Sequence, residues 1–353
     1  MTPLTETAAV RHLTHTALTP ATPGFVGVAA DLLLTAPGVP FSLVGSLRDR
    51  PPLRHGFLTA RSARVIVVSG PPSPGLDICA DRMARDIAMP VPLVGGHGLA
   101  VLDEAADSVT PSSPAALLGT ATAGIRVALE AGIDGAGPYG LRHRWAVAQA
   151  IAPVLAAAFA NSPLSDGRPT GWRSNRQALR PAPVRSGDED PRAAWARQVL
   201  DAPVAPGRRF RDWIREGQVT AGDLGEHLRD FRPPVAARGH LEIDVADQQP
   251  GNGWRVPLAV ITALIEDPLA AAEALVATAG LDGDLWTRAA RDGLTDPALA
   301  GAARSCFVSA YAALARRGVS RELRDAVAEF TERYVLRGRC PADDVLDRAA
   351  ARP

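Results

Sequence analysis

Residues Phe159 to Leu179 read FANSPLSDGRPTGWRSNRQAL, and this stretch is the most informative part of the chain for fold and function. It follows an alanine-rich run, Arg142 to Ala160, whose composition favours a helix. The AsnSerPro and GlyArgProThrGly motifs then predict a loop, because proline and glycine interrupt regular structure. Binding residues are common on loops of this kind. Its candidate substrate-binding residues are Asn161, Arg168, Trp172, Arg173 and Arg176.

The arginines of this loop suggest the chemistry of a ligand. Guanidinium forks match the geometry of carboxylate and phosphate groups, so Arg168, Arg173 and Arg176 are typical of a site for an anionic amino acid or a phosphate. The alternative is that these arginines only brace the loop through internal hydrogen bonds.

Composition excludes several classes of protein. The chain has 353 residues, 46% of them apolar, and 38 basic residues balance 38 acidic ones. A net charge of zero gives no field that attracts nucleic acid or an anionic membrane surface. The chain contains no lysine, which excludes Walker, Schiff-base and kinase-type lysines. Three isolated cysteines and the lack of a signal-like N-terminus predict a cytoplasmic protein.

The order of secondary-structure signals predicts an α+β fold. Strand-like runs occur at Phe25–Leu34, Val65–Val68 and Leu241–Val245. In the last third of the chain, apolar residues recur with the period of a helix. Asp267-Pro268 and Asp296-Pro297 each predict an N-cap followed by proline at the first helical position. The proline-rich, charged segment Arg180–Pro191 predicts an exposed connector.

Several blocks in one order resemble a known family. They are Arg144-Trp145 leading into AFANSP, then GRPTGWRSNRQAL, DPRAAWARQVLDAPV, FRDWI, PPVAARGHLEI, DQQPGNGW with VPLAV, and RYVLRGRCPADD. Together they resemble glutamate-cysteine ligases of the ergothioneine-pathway type, which join glutamate to cysteine through a γ-glutamyl phosphate made from ATP. The resemblance implies an antiparallel sheet of the glutamine-synthetase and glutamate-cysteine-ligase type, forming a cleft covered by helices. It also implies one domain over 1–353, with a divergent sheet part (1–138), the signature loop and strand (139–265) and a helical part (266–353).

The N-terminal third departs from the pattern of that family. A first-strand pattern like VGxExE reads VGVAAD here, with Ala29 and Asp31 at the glutamate positions. In two further patterns, Arg61 and Val67 stand at glutamate positions, and Arg126 and Ala128 stand where amides are expected. A later pattern like HLELR keeps its glutamate as Glu242 and has Asp244 in place of arginine.

These departures matter because Mg²⁺ requires several oxygen ligands in near-octahedral geometry. Of these positions, only Asp31, Glu242 and Asp244 remain as candidate catalytic acids, and Glu242 as the candidate metal ligand. Arg61 and Arg126 are added to the candidate substrate-binding residues, since arginine contacts phosphate or carboxylate directly. The alternative for Glu242 and Asp244, two apart on one strand face, is a solvated or arginine-paired surface.

Three functions follow from the pattern. The first, ranked slightly above the second, is an enzyme repurposed to bind or transform an amino-acid or γ-glutamyl-type ligand without Mg-ATP. The second is a noncatalytic protein, a partner of an active ligase. The third is an active ATP-dependent glutamate-cysteine ligase of ergothioneine biosynthesis that uses Asp31, Glu242 and Asp244.

Overall fold

A computed structural model describes residues 3–35, 47, 52–62, 64–102, 105–107, 121–135, 137–165, 167–182, 189–217 and 219–351. Within these ranges the helices are α1 (Glu6–Ala17), α2 (Leu76–Ile87), α3 (Pro90–Gly95), α4 (Leu141–Ala158), α5 (Asn175–Ala178), α6 (Pro191–Asp201), α7 (Phe210–Arg215), α8 (Ala221–Asp230), α9 (Arg255–Glu266), α10 (Pro268–Thr278), α11 (Leu285–Asp292), α12 (Pro297–Arg316), α13 (Arg321–Arg333) and α14 (Pro341–Ala350). Short 3₁₀ turns cover Gly251–Trp254, Gly293–Thr295 and Val335–Arg337.

The main sheet is antiparallel, and its strands are β1 (Phe25–Leu34), β2 (Phe57–Ser62), β3 (Val65–Ser69), β4 (Ser73–Pro74), β5 (Val101–Leu102), β8 (Gly124–Leu129), β13 (Val235–Ala237) and β14 (Leu241–Asp247). The strand order is β13-β14-β8-β1-β3-β2, and β4 and β5 also pair with β1. Three small pairs are formed by β6 (Ala106–Asp107) with β7 (Ala121–Thr122), β9 (Leu164–Ser165) with β10 (Arg168–Pro169), and β11 (Pro203–Ala205) with β12 (Arg208–Arg209). The predicted α+β fold with an antiparallel sheet is confirmed.

One face of the sheet forms the hydrophobic core. Side chains alternate between the two faces along a strand, so Val28 and Leu32 of β1 and Val127 of β8 point the same way and belong to the main buried cluster. Helices α2, α4 and α9 pack against the sheet. This face therefore holds the protein together, and the opposite face is left for polar residues.

The C-terminal helices begin at the predicted caps. Asp267 accepts a hydrogen bond from the backbone N–H of Ala270, and Asp296 accepts from those of Ala298 and Leu299. A proline occupies the first turn of each helix. The helical C-terminal region is confirmed, whereas the division into parts at 138 and 265 stays a prediction. Of the predicted connector Arg180–Pro191, residues 183–188 lie outside the described ranges.

One helix among the described residues, Pro297–Arg316, is long and apolar enough to cross a membrane by length and composition. More than half of its most apolar window, 56%, is buried inside the fold. That share is typical of a core helix. The cytoplasmic location stays a prediction.

Candidate active site

The polar face of the sheet collects the residues that the sequence singled out. Residues directly opposite on neighbouring strands lie on the same face. Ala29 of β1 is opposite Arg126 of β8, and Ala128 of β8 is opposite Glu242 of β14. Asp31, two residues after Ala29, is opposite Val67 of β3. We call this surface the site face, defined by Ala29, Asp31, Val67, Arg126, Ala128 and Glu242.

Two β-bulges lie beside charged side chains of the site face. The register of β2 with β3 shifts between Ala60 and Ser62, at Arg61. The register of β14 with β8 shifts between Ile243 and Ala246, after Asp244. Arg61 keeps the face of Thr59, which is opposite Val67, and Asp244 keeps the face of Glu242, so simple strand alternation places both on the site face.

Asp31 is the centre of the first charge cluster. It is fully buried, and its carboxylate accepts hydrogen bonds from Arg61 (2.5 Å), from Arg126 (3.2 Å) and from the backbone N–H of Gly124 (3.1 Å). Burial alone would raise the pKa of Asp31, but the two guanidinium groups outweigh burial and hold it below its usual value. Asp31 is therefore ionised and internally neutralised.

Asp244 is the centre of the second cluster. One carboxylate oxygen accepts a short hydrogen bond from the buried Arg176, and the other accepts from Arg180 at 2.8 Å. Burial opposes ionisation, yet Arg176 and Arg180 hold the pKa of Asp244 well below its usual value. Burial and the neighbouring Arg176 lower the pKa of Arg180 to about 10. The two clusters are electrostatically coupled, since Asp31 and Asp244 act on each other's arginines.

Asp247 ties the signature loop to the end of β14. Its carboxylate accepts hydrogen bonds from the backbone N–H of Asn161 (2.8 Å), the Ser162 hydroxyl (2.8 Å) and the Ser174 hydroxyl (3.0 Å). Arg176 lies 3.7 Å away. Burial outweighs these partners and raises the pKa of Asp247. The loop is therefore held over one end of the site face by a buried polar network.

Glu242 lies at the edge of these clusters. It accepts a hydrogen bond from Arg238 at 3.0 Å, and its side chain is 19% exposed. This pairing corresponds to the arginine-paired alternative for the strand face. Among the described residues, no group of three or more His, Cys, Asp or Glu side chains is placed to hold a metal ion.

The signature loop does not bring its three arginines together. Arg176 is buried on the site face, Arg173 pairs with Asp343 of α14 at 2.7 Å, and Arg168 is exposed on β10. Trp172 is partly buried. Asn161 is buried beside Asp247 and donates from its side-chain amide to the Gln248 carbonyl at 2.7 Å. The roles assigned to these residues stay predictions.

Sequence analysis missed two arginines close to the site face, Arg232 and Arg180. Arg232 is partly buried, and the charges of Arg126, Arg61, Asp244 and Glu242 all act on it. It forms no hydrogen bond or ion pair with any residue that the structure describes. Burial and the neighbouring arginines lower its pKa. Arg232 directly precedes the PPVAARGHLEI motif without belonging to it, so no pattern marked it. Arg180 directly follows the GRPTGWRSNRQAL motif, and Asp247 is the first residue of the DQQPGNGW motif. Nothing in either motif marked these two residues as part of the site.

Comparison with known proteins identifies the scaffold. A family model described as "Glutamate-cysteine ligase family 2" matches residues 116–353. The glutamate-cysteine ligase EgtA of Mycobacterium tuberculosis is 31% identical, over 98% of this chain and 91% of its own length. The chain belongs to the glutamate-cysteine ligase family. EgtA of Mycolicibacterium smegmatis is 32% identical over 87% of this chain and 81% of its own length.

A solved structure supports the same fold for this glutamate-cysteine ligase family member. The glutamate-cysteine ligase from Francisella tularensis, crystallised with AMP, superimposes with a TM-score of 0.52 at 12% identity. The match covers 94% of this chain and 86% of that chain. The shared architecture is therefore that of a glutamate-cysteine ligase.

Gly124 of β8 is tightly packed against Arg176 on the site face of this ligase homologue. A Cβ placed there would overlap the guanidinium group of Arg176 and would lie 2.7 Å from the carbonyl oxygen of Ala246. We expect Gly124→Ala to lower the free energy of unfolding by about 1–3 kcal/mol, because Arg176 must leave its carboxylates. Urea unfolding measures this change.

The control is Gly225→Ala in α8. A Cβ at Gly225 meets nothing within 4 Å, so alanine should stabilise that helix by about 0.5–1 kcal/mol. Equal effects at both glycines would contradict the packing of Arg176 against β8.

Proposed function

We propose that this glutamate-cysteine ligase homologue uses the site face to bind a small anionic ligand of amino-acid or γ-glutamyl type without Mg-ATP. The observation that carries the proposal is the pairing of Asp31 with Arg61 and Arg126. The acidic residue left on the first strand is engaged by two guanidinium groups, and a cation would have to displace them. The proposal treats the protein as an enzyme of altered chemistry on this scaffold.

The charge balance supports an anionic ligand. Five arginines lie around three aspartates: Arg61, Arg126, Arg176, Arg180 and Arg232 around Asp31, Asp244 and Asp247. Glu242 already has Arg238 as its partner. Positive charge is therefore in excess. Burial and neighbouring guanidinium groups lower the pKa of Arg61, Arg180 and Arg232, so a bound anion would be favoured at these groups.

The residues that remain do not fit Mg²⁺ as they stand. The metal needs about six oxygen ligands at short distance. In the described part of the chain, the carboxylates of Asp31, Asp244 and Glu242 accept hydrogen bonds from arginines instead. Guanidinium groups can themselves bind carboxylate or phosphate oxygens in two-point fashion, which gives direct anion recognition without a metal.

Two other functions are kept as candidates. The active ligase is favoured by the 31% identity to EgtA across nearly the whole chain. It would require that a bound nucleotide draws Asp31, Glu242 and Asp244 away from their arginines. A noncatalytic partner of an active ligase would keep the ligase fold and catalyse no reaction itself.

Titration calorimetry with glutamate, with and without Mg-ATP, separates these functions. We expect glutamate or another small carboxylate to bind in EDTA and the affinity to fall about tenfold in Arg232→Gln, because an unpaired guanidinium is lost. Arg229→Gln, an exposed arginine three residues earlier, is the matched control and should bind like the wild type.

The same protein is then assayed for ADP release with glutamate and cysteine. Turnover that depends on Mg-ATP would overturn the proposal in favour of the active ligase. No binding of any small carboxylate would overturn it in favour of the noncatalytic partner.

A further inference from the structure

A cavity lies beside the signature loop. Its volume is about 780 Å³, within the range of about 300–1,000 Å³ usual for small-molecule sites. Loop residues Asn161 to Leu164 form one wall, and helices α9, α13 and α14 contribute the others. Ser162 lines this cavity, and its hydroxyl donates to Asp247, the buried carboxylate that also accepts from Ser174 and lies 3.7 Å from Arg176.

The inner wall of the cavity is mainly apolar. Asn161, at one end of it, is buried, and its side-chain amide donates to the Gln248 carbonyl. The rings of Phe330 and Tyr334, with Val256 and Val345, supply apolar walls for a side chain.

The rim carries two exposed charges that lie outside its ion pairs. Arg255 pairs with Glu322, and Arg333 pairs with Asp344 at 2.8 Å. In contrast, Glu329 of α13 and Arg348 of α14 line the cavity and form no ion pair with any described residue. An ammonium group suits Glu329, and a carboxylate suits Arg348.

We propose that this cavity is a binding site, distinct from the site face, for a short zwitterionic peptide with an apolar side chain. Such a compound combines the three features that the cavity complements. Its side chain lies against Phe330 and Tyr334, and its ammonium and carboxylate groups face Glu329 and Arg348.

The test uses glycyl-L-phenylalanine as the probe, titrated calorimetrically into the full chain. Ala326→Phe of α13 fills the cavity, since Ala326 lines it, and should weaken binding by about tenfold or more. Ala328→Phe is the matched control, because Ala328 lies on the same helix, is also partly buried and does not line the cavity. It should bind like the wild type.

A second variant tests the charge without filling the cavity. Arg348 is exposed, so Arg348→Gln should fold normally. It should weaken the binding of glycyl-L-phenylalanine by about threefold to tenfold and leave that of glycyl-L-phenylalanine amide unchanged. Binding should also survive Arg232→Gln, so this site and the site face can fail independently. No saturable binding of the probe, or equal affinity in the two phenylalanine variants, would overturn the proposal.

Discussion

Asp31→Asn should lower the free energy of unfolding by about 3–5 kcal/mol at pH 7, although asparagine has nearly the same shape. The reason is the charge left behind. Arg61 and Arg126 lose the carboxylate between them, and both guanidinium groups are largely buried. The side-chain NH₂ group of asparagine would also face the N–H donors of Arg61, Arg126 and Gly124. Urea unfolding of the two proteins gives the difference.

The pH dependence has a definite sign. Because the pKa of Asp31 lies below its ordinary value, the native state binds this proton more weakly than the unfolded state. The stabilisation is therefore complete above about pH 4 and is lost as the pH falls toward the folded pKa. The difference between wild type and Asp31→Asn should shrink in acid.

Asp81→Asn provides the comparison for Asp31. Its ion pair with Arg85 is about half exposed on both sides, so its loss should change stability by less than about 0.5 kcal/mol. A small effect at Asp31 as well would mean that the buried cluster does not hold the sheet together.

Much of the fold was accessible from local sequence. The strand Phe25–Leu34 follows from a nearly continuous apolar run. The caps at Asp267 and Asp296 follow from side-chain oxygens that accept the first helical N–H groups. The signature loop was also predictable, because its proline and glycine positions forbid regular structure. These signals depend on neighbours within a few residues.

The pairing within the site was not accessible in the same way. Arg61 reaches Asp31 across β3, which lies between β2 and β1, and Arg126 reaches it because β8 pairs with β1 from nearly a hundred residues away. One residue of slippage would turn a side chain to the opposite face. Sequence patterns named both arginines but could not state that they bind an aspartate of the protein itself.

The loop arginines show the same limit. The loop places three arginines within nine positions of the sequence, but in three environments. Arg168 is exposed on β10, Arg173 pairs with Asp343 of α14, and Arg176 pairs with Asp244. The loop has two sides, one toward the site face and one toward the cavity. Proximity in sequence therefore does not assign these arginines to one ligand.

Arg144→Met is expected to have an effect as large as that of Asp31→Asn, at a position outside the site. Arg144 is fully buried in α4 and pairs with Glu266 at 2.5 Å. It also donates to the carbonyl oxygens of Glu130 after β8 and Ile265 of α9. Methionine leaves Glu266 buried without its partner, so we expect a loss of about 3–5 kcal/mol in urea unfolding.

A double variant identifies the source of that loss. Replacing Glu266 with leucine in the Arg144→Met background removes the unpaired carboxylate, and an apolar pair can replace a buried ion pair at little cost. Arg144→Met/Glu266→Leu should therefore be more stable than Arg144→Met alone. The remaining deficit measures the hydrogen bonds to Glu130 and Ile265, about 1 kcal/mol each. Arg142→Met, on the same helix with an exposed ion pair, should change little. If the double variant is no more stable than the single one, Arg144 acts mainly as a clamp on the two carbonyls that joins the sheet to α9.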